Sequence, residues 1–470
     1  MSNKVIHLPR LINRYNQMAG SIRIKKGKDI KMVGSSEKTI IPYSSPDVVA
    51  VKPTDFVGIK PKMLLKEGAE VKAGTPLFHE KQNDKILFSS PVSGEVTEIV
   101  RGAKRKILEV RILADKETRF EEYGAADPKS LTKEQVTDKM LKAGVWPLLR
   151  QRPFSTVADP FGVPRDIYIS GFDSAPLGPE LDFLIKGQEK EFQAGIDALS
   201  RLTKGKVHLA TSSQHNGHSV YSGVQGVEKT EFSGPHPSGN VSVQVHHTKA
   251  LNKGEVIWYT YPQEVIIIGR LFLTGKYDAR RRIALNGSMV EKPSYHEVIG
   301  GTSLKGILKG NLKEGHRRVI SGNVLTGAKV SEEGFLGAFD TQVCVIPEGD
   351  HHKFLLTDGW LSPGLKRFSM SRSYPSWLMP GKKYDLDTNL NGEIRSFVVT
   401  GQLEQVFPFE IYPMQLIKSV MANDIDKMES MGIYEVDAED FALCEVACTS
   451  KIDIQKVIRD GMESLRMELA

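Results

Sequence analysis

The chain has 470 residues, which at roughly 100 to 200 residues per domain predicts three or four domains and excludes a single small module. Its 63 Lys and Arg against 57 Asp and Glu give a net charge of +6, too mild for a dedicated nucleic-acid binder. Three cysteines exclude a secreted disulfide framework, and no run approaches the roughly 18 apolar residues of a membrane span. We therefore expect a cytoplasmic multidomain protein with no nucleic-acid partner and no transmembrane segment of its own.

The first predicted domain covers residues 22–120 and follows an N-terminal extension, residues 1–21. Short β-branched runs alternate with Gly and Pro turns, as in a compact all-β unit. The order G-x-x-V-x-x-G-x-x-L-F, a hairpin, then S-P-x-x-G-x-V resembles the barrel-sandwich hybrid of biotinyl and lipoyl carrier domains. Lys85 lies near the hairpin tip where such carriers are modified, but without their usual flanking residues. We interpret it as a solvated lysine.

Residues 121–300 alternate helical and strand patterns, which predicts a Rossmann-like α/β domain with a parallel sheet. No G-x-G-x-x-G follows the first strand, so this domain offers no phosphate cradle of that type. The predicted elements are a helix over 132–144 ending at Gly144, strands over 167–170, 206–211 and 264–269, and a helix over 189–203.

Two further domains complete the chain. Short strands and Gly turns over residues 301–385 predict a small β-grasp (SLBB-like) domain, and a helical period over 386–470 predicts a C-terminal helical domain. The fold class is therefore α+β multidomain.

Cys444 and Cys448 would share one face of a helix, but an iron–sulfur or zinc site needs about four ligands and only Cys344 remains. We interpret them as small core cysteines.

Five histidines gather in about thirty residues. Without Cys or Asp nearby they favour loop-lining or hydrogen-bonding roles over a metal site, and the last two, if on a strand, would face opposite sides. They are His215, His218, His236, His246 and His247.

The segment 144–155, G-V-W-P-L-L-R-Q-R-P-F-S, combines aromatic and cationic side chains. A quinone needs a flat apolar surface for its ring and one or two donors for its carbonyls. Trp146 and Phe154 with Arg150 and Arg152 provide both. The alternative is an interdomain linker held in a groove by its aromatic residues.

The order of motifs along the chain is specific, although no single motif decides. It comprises I-R-I-K-K-G, E-G-A-E-V-K-A-G, the 144–155 segment, L-S-R-L-T-K-G-K-V, F-S-G-P-H-P-S-G, G-R-L-F-L-T-G, R-V-I-S-G-N-V-L-T-G, F-L-G-A-F-D-T-Q-V and A-L-C-E-V-A-C. From about residue 22 onward the chain resembles the NqrA family of the Na⁺-translocating NADH:quinone reductase. It is also similar to the flavin- and NADH-binding subunit of complex I and to the peripheral C subunit of Rnf-type complexes.

The resemblance implies a peripheral subunit on the inner, cytoplasmic face of the bacterial membrane, in a six-subunit complex that oxidises NADH, reduces ubiquinone or menaquinone and exports Na⁺. Its partners would be subunits B to F, which hold the NADH, flavin and iron–sulfur sites. This chain has Gly144-Val145-Trp146-Pro147 where its relatives carry a Gly-rich flavin loop, and Gly171-Phe172-Asp173-Ser174 where they carry an acidic loop. Cys444 and Cys448 look like the remnant of a cluster motif, with Thr449 in place of Pro. We expect no cofactor bound by this chain.

Two hypotheses follow. In the first, the chain takes part in quinone reduction without catalytic or metal-ligating residues of its own, and quinone is its possible substrate. The candidate quinone contacts are Arg150, Arg152, Phe154, Trp146, Phe56 and Gly58. In the second, the chain is an assembly module that braces the membrane subunits and binds nothing small.

Overall fold

The computed structural model describes residues 20–214, 219–357, 359 and 361–469. Its strands are β1 (Ser21–Arg23), β2 (Glu37–Ile41), β3 (Val48–Val51), β4 (Pro61–Met63), β5 (Glu70–Val71), β6 (Pro76–Glu80), β7 (Leu87–Ser89), β8 (Gly94–Arg101), β9 (Ile107–Ala114), β10 (Arg150–Arg152), β11 (Ile167–Ser170), β12 (Val207–Ser212), β13 (Glu228–Ser233), β14 (Ile257–Thr260), β15 (Arg280–Asn286), β16 (Ser294–Ile299), β17 (Arg317–Ser321), β18 (Ala328–Val330) and β19 (Gln342–Pro347). Its α-helices are α1 (Lys133–Ala143), α2 (Leu181–Ile185), α3 (Glu189–Leu202), α4 (Val241–Lys249), α5 (Pro262–Thr274), α6 (Lys305–Leu308), α7 (Leu403–Val406), α8 (Pro413–Met421), α9 (Ile425–Ser430), α10 (Ala442–Ala447) and α11 (Ile454–Glu468).

Two small antiparallel sheets, β3-β9-β8-β5 and β4-β6-β7, form the predicted barrel-sandwich hybrid. Phe78 and Phe88 stack between the strands of the smaller sheet, with ring centroids 4.6 Å apart. Gly94 begins β8 with a φ of 151°, and a Cβ there would lie 1.9 Å from the carbonyl oxygen of Leu113. The sheet therefore needs glycine at this position. Lys85, in the β6–β7 connection, is exposed as expected, with its ammonium 5.0 Å from the ring centre of Phe161.

A six-stranded sheet in the order β1-β13-β12-β11-β14-β10 forms the predicted Rossmann-like domain. All of its neighbours are parallel except β10, which runs antiparallel to β14. The predicted helix over 132–144 is α1, and it ends where Gly144 adopts a left-handed φ of 70°. The helix predicted over 189–203 is α3, and the strands predicted over 167–170 and 206–211 are β11 and β12.

The strand predicted over 264–269 is wrong, because this apolar run lies inside helix α5. The buried strand is β14, immediately before it, and Pro262 starts the helix at a position where a missing N–H costs nothing. A helix buried on nearly all sides has no polar face to reveal its period. Gly269 of α5 lies so close to α3 that a Cβ would be 1.8 Å from the carbonyl oxygen of Glu191.

A second six-stranded sheet, β18-β17-β19-β15-β16-β2, forms the β-grasp part of the molecule. Apart from β2, the first strand of this sheet along the chain is β15, which lies within the range 121–300 predicted for the α/β domain. The sheet also takes β2 from the predicted β range of 22–120, while β1 from that range joins the α/β sheet. Local patterns identified the β1 and β2 runs but not β15, and they could not say which sheet each strand completes, because edge pairing depends on the assembled domains.

The last part of the described chain is helical, as predicted. Apolar faces of α8 and α11 pack around a core that includes Leu416, Ile458 and Phe441. Cys444 and Cys448 belong to this core and are buried, which confirms their interpretation as core residues. No helix within the described ranges combines the length and apolar character needed to cross a bilayer.

Candidate functional site

The order in which the chain adds strands to the α/β sheet reverses between β11 and β14. The chain places β12 and β13 on one side of β11 and then returns to add β14 on the other. In open α/β sheets, ligands bind in the crevice outside the carboxyl ends of the strands at such a switch point. Residues 171–174 follow β11 here, and Tyr261 follows β14.

The chain itself fills this crevice with a short acidic turn, residues 437–440, contributed by the C-terminal helical domain. Within the turn, the carboxylate of Asp440 accepts a hydrogen bond from the backbone N–H of Asp437. It also accepts a 3.0 Å hydrogen bond from Nδ2 of Asn240, the residue before α4. Burial, reinforced by Glu439, raises the pKa of Asp440 to about 7. Burial also raises the pKa of Asp173 to about 6, with a smaller contribution from Glu439 in the same direction. The acidic turn therefore lies against the loop that follows β11.

Arg152 ties this acidic turn to the α/β domain. Its Nη2 donates to Oε1 of Glu439 at 2.7 Å, and its Nη1 pairs still more closely with Asp437. Nearby, the ring of Phe154 meets that of Tyr434 edge to face at 6.1 Å. Two of the candidate quinone contacts, Arg152 and Phe154, thus hold the helical domain in place.

Arg150, two residues earlier on β10, has a different environment. Its guanidinium carbon lies 4.0 Å from the ring centre of Phe339, 4.6 Å from that of Tyr259 and 5.3 Å from that of Tyr261. The side chain is half-buried. Among the described residues, no hydrogen bond or ion pair joins a protein acceptor to this guanidinium, and its Nε is buried without a partner. We call Arg150 and these three rings the Arg150 cluster.

Phe56 and Gly58 reach the same region from the barrel-sandwich domain. The ring of Phe56 meets that of Phe339 edge to face, with centroids 5.4 Å apart. Val57, between Phe56 and Gly58, pairs in an isolated parallel bridge with Thr156, the residue after the 144–155 segment. Gly58 has a φ of 76° and lies beside α11, where a Cβ would be 3.1 Å from the guanidinium carbon of Arg466.

Trp146 lies behind the site. Its indole N–H donates to the carbonyl of Ala158 at 2.8 Å, and its ring packs edge to face on Trp258 at 5.4 Å. The side chain is fully buried. Trp146 therefore packs on the core side of β10, which carries Arg150, and of its neighbour β14.

Sequence reasoning missed the aromatic partners of Arg150. Tyr259 and Tyr261 alternate at the end of W-Y-T-Y, so they share a face, and Tyr259 pairs with Arg150 across the β10–β14 ladder. This spacing of two residues could have identified the two tyrosines as a pair on one face of the strand. Phe339 lies in a loop of another domain, and no local pattern connects it to Arg150.

Of the five clustered histidines, the three that the structure describes each make a hydrogen bond, as predicted. Nδ1 of His236 lies 3.0 Å from Oγ of Ser174, and burial lowers the pKa of His236 to about 4, which keeps it neutral. His246 pairs with Glu435 at 2.7 Å. The strand expected for His246 is wrong, because it lies on α4.

His247 also lies on α4, and its Nδ1 bonds the carbonyl of Val243. His215 and His218 lie outside the described residues. Over the described part of the chain, no group of three or more His, Cys, Asp or Glu is arranged to hold a metal ion.

The fold and site define a class: a multidomain chain with a barrel-sandwich hybrid, an α/β domain, an SLBB-type β domain and a helical domain, in which the first three meet around Arg150 and the helical domain pairs with Arg152. Three family descriptions match in sequence: the NqrA N-terminal barrel-sandwich hybrid domain over 22–115, the NqrA second alpha/beta domain over 131–277 and the NQRA C-terminal domain over 282–332.

Whole-length relatives agree with the domain matches. The chain is 36% identical to the A subunit of the Na(+)-translocating NADH-quinone reductase of Yersinia pseudotuberculosis, over 95% of this chain and 100% of that protein. It is 34% identical to the protein of the same name from Rhodopirellula baltica, over 95% and 98%. The chain therefore belongs to the NqrA family of the Na⁺-translocating NADH-quinone reductase.

Proposed function

We propose that the chain works as a peripheral subunit of such a reductase and holds the quinone head group at the Arg150 cluster while it is converted to quinol. The observation that carries this proposal is the guanidinium of Arg150. It is stacked among three aromatic rings, and its N–H groups have no acceptor within the described chain.

The chemistry of the Arg150 cluster matches a quinone. A guanidinium is a permanent cation whose planar N–H groups can donate to a carbonyl oxygen, and the bond strengthens as negative charge develops on that oxygen during reduction. Phe339 and Phe56 supply ring edges against which a flat head group can pack. The convergence of three domains here would exclude water from the ring.

The fold also bears on the other cofactors of the complex. The switch-point crevice, where an open α/β sheet would bind a nucleotide, holds the chain's own acidic turn. Negative side chains at this place disfavour phosphate groups. We infer that NADH and flavin bind to partner subunits B to F, and that this chain meets them at the cytoplasmic face of the membrane. Co-purification of the tagged chain from its native membrane tests this placement, since recovery without membrane flavoproteins would contradict it.

The second function is a purely structural module. Arg152 and Phe154 favour it, because both are engaged within the chain at the contact with the helical domain. In that case quinone would bind only to other subunits.

One pair of variants separates the two functions. Arg150→Met keeps an apolar side chain among the rings but removes every donor. Loss of a hydrogen bond from a charged donor is expected to weaken the apparent affinity for quinone by about ten- to a hundredfold in the purified complex. Arg111→Met is the matched control, because Arg111 also lies over a ring, that of Phe335 at 5.4 Å, but already pairs with Glu98 and Glu109.

The same complexes can be labelled with a photoreactive quinone analogue. Labelled peptides from the Arg150 cluster, lost in Arg150→Met and kept in Arg111→Met, would support the quinone site. Labelling confined to partner subunits, with unchanged quinone kinetics in Arg150→Met, would favour the structural module.

A further inference from the structure

Residues 349–388 leave the second six-stranded sheet after β19 and fold back on themselves. At the base, the N–H of Gly349 donates to Oγ1 of Thr388 at 2.8 Å. Farther out, the N–H of Ser369 donates to Oγ of Ser376 at 3.1 Å. These nested contacts make the segment one excursion with its tip between Ser369 and Ser376. We call it the 349–388 excursion.

The excursion concentrates exposed apolar side chains on both of its limbs. Scattered single apolar residues are normal on a protein surface, but a dense group marks a contact with something else. The most exposed are Phe354 at 65% and Leu378 at 62%. Among the described residues of the excursion, the exposed large apolar side chains are Phe354, Leu355, Leu356, Leu361, Leu365, Trp377 and Leu378.

The outer part of the 349–388 excursion, residues 353–383, is strongly basic, while its base adds three acidic residues, Asp350, Asp385 and Asp387. Residues 353–383 carry six basic side chains and one acidic residue, whereas the whole chain has a net charge of only +6. Arg372 lies at the tip with its guanidinium 5.8 Å from the ring centre of Trp377, so cation and aromatic face are presented together. The basic residues are Lys353, Lys366, Arg367, Arg372, Lys382 and Lys383.

We propose that the 349–388 excursion rests on a bilayer surface that contains anionic lipid. Trp, Phe and Leu side chains beside Lys and Arg are the composition that binds at the boundary of headgroups and acyl chains. Each basic residue near such a surface adds to the attraction. A protein partner fits less well, because lysine is depleted from protein–protein interfaces. This contact goes beyond the proposed function, since it requires neither quinone nor another subunit.

The test is flotation of the full chain with lipid vesicles. We expect binding to vesicles of phosphatidylcholine with about a third phosphatidylglycerol, weak binding to phosphatidylcholine alone, and loss of binding at high salt. Lys366→Gln with Arg372→Gln should weaken binding by roughly fivefold per charge removed. Trp377→Ser with Leu378→Ser should weaken it through loss of apolar insertion. These side chains are exposed, so the variants are expected to fold.

Phe161→Ser is the control, because Phe161 is equally exposed, at 66%, but lies outside the excursion. It should bind anionic vesicles as well as the unchanged chain. The proposal is overturned if the full chain fails to bind anionic vesicles at low salt, or if Phe161→Ser weakens binding as much as Trp377→Ser with Leu378→Ser. It is also overturned if binding appears only when the vesicles carry the membrane subunits, since the contact would then be with protein.

Discussion

Arg152→Met is expected to loosen the C-terminal helical domain from the α/β domain. The Arg152 side chain is 4% exposed, and its partners Asp437 and Glu439 are 19% and 32% exposed. Removing one member of a buried ion pair typically costs about 3 to 5 kcal/mol. Because water reaches part of both carboxylates, we expect the lower end, about 3 kcal/mol, which corresponds to roughly a hundredfold in the population of the opened state.

Amide hydrogen exchange measures this opening directly. Global unfolding of a multidomain chain does not give a single free energy, whereas exchange reports on each region separately. Exchange in α10 and α11 should become roughly a hundredfold faster, while β8 and β9 of the barrel-sandwich domain should not change. Arg459→Met, an exposed arginine on α11, is the control and should alter exchange by about twofold or less.

The alternative is that the ion pairs of Arg152 contribute nothing to holding the helical domain against the α/β domain. If α10 and α11 exchange at the same rate in Arg152→Met and in Arg459→Met, the reasoning is refuted. The double variant Arg152→Met with Glu439→Gln adds a second check. It should exchange more slowly than Arg152→Met alone, because it removes one of the carboxylates left unpaired.

Three further predictions concern stability. Burial raises the pKa of Asp440 to about 7, so the stability it contributes below about pH 4 is lost as the pH rises through 7. In hydrogen exchange of α10 and α11 compared at each pH, the advantage of Asp440→Asn over the unchanged chain should grow across that range, and a constant difference would contradict this. Gly269→Ala forces a Cβ towards the carbonyl of Glu191 and should destabilise α3 and α5 by about 3 kcal/mol in hydrogen exchange, whereas Gly223→Ala, with open space around it, should not. Gly58→Ala must hold a left-handed φ, which costs roughly 1 to 2 kcal/mol, and should speed amide hydrogen exchange in β4 by about five- to thirtyfold; unchanged exchange would be evidence against the backbone assignment.

The proposed quinone site and the proposed lipid contact use different residues and can be tested independently. The Arg150 cluster is formed by side chains of the α/β and β-grasp parts, and Phe56 of the barrel-sandwich domain packs on its Phe339 ring. The 349–388 excursion starts from the β-grasp part, where Gly349 bonds Thr388, and none of the Arg150 cluster residues belongs to it. A variant at the excursion tip should therefore leave quinone affinity unchanged in detergent, and Arg150→Met should leave vesicle binding unchanged.

The sequence by itself determined the local elements and the order of domains. Glycine positions and period-two alternation were sufficient for the barrel-sandwich strands, because these signals lie within each strand and its turns, even where the paired strands are far apart in the chain, as β3 and β9 are. Helix α3 followed from its apolar face, and the end of α1 followed from Gly144. Motif order was sufficient for the family.

Tertiary structure decided the rest. Helix α5 is buried on nearly all sides, so its period was hidden until its packing against α3 was seen. Arg150 and Arg152 alternate along one short strand and look equivalent in sequence, yet one pairs with carboxylates 285 or more residues away and the other with aromatic rings. Such contacts depend on how domains close on one another, and no local propensity encodes that closure.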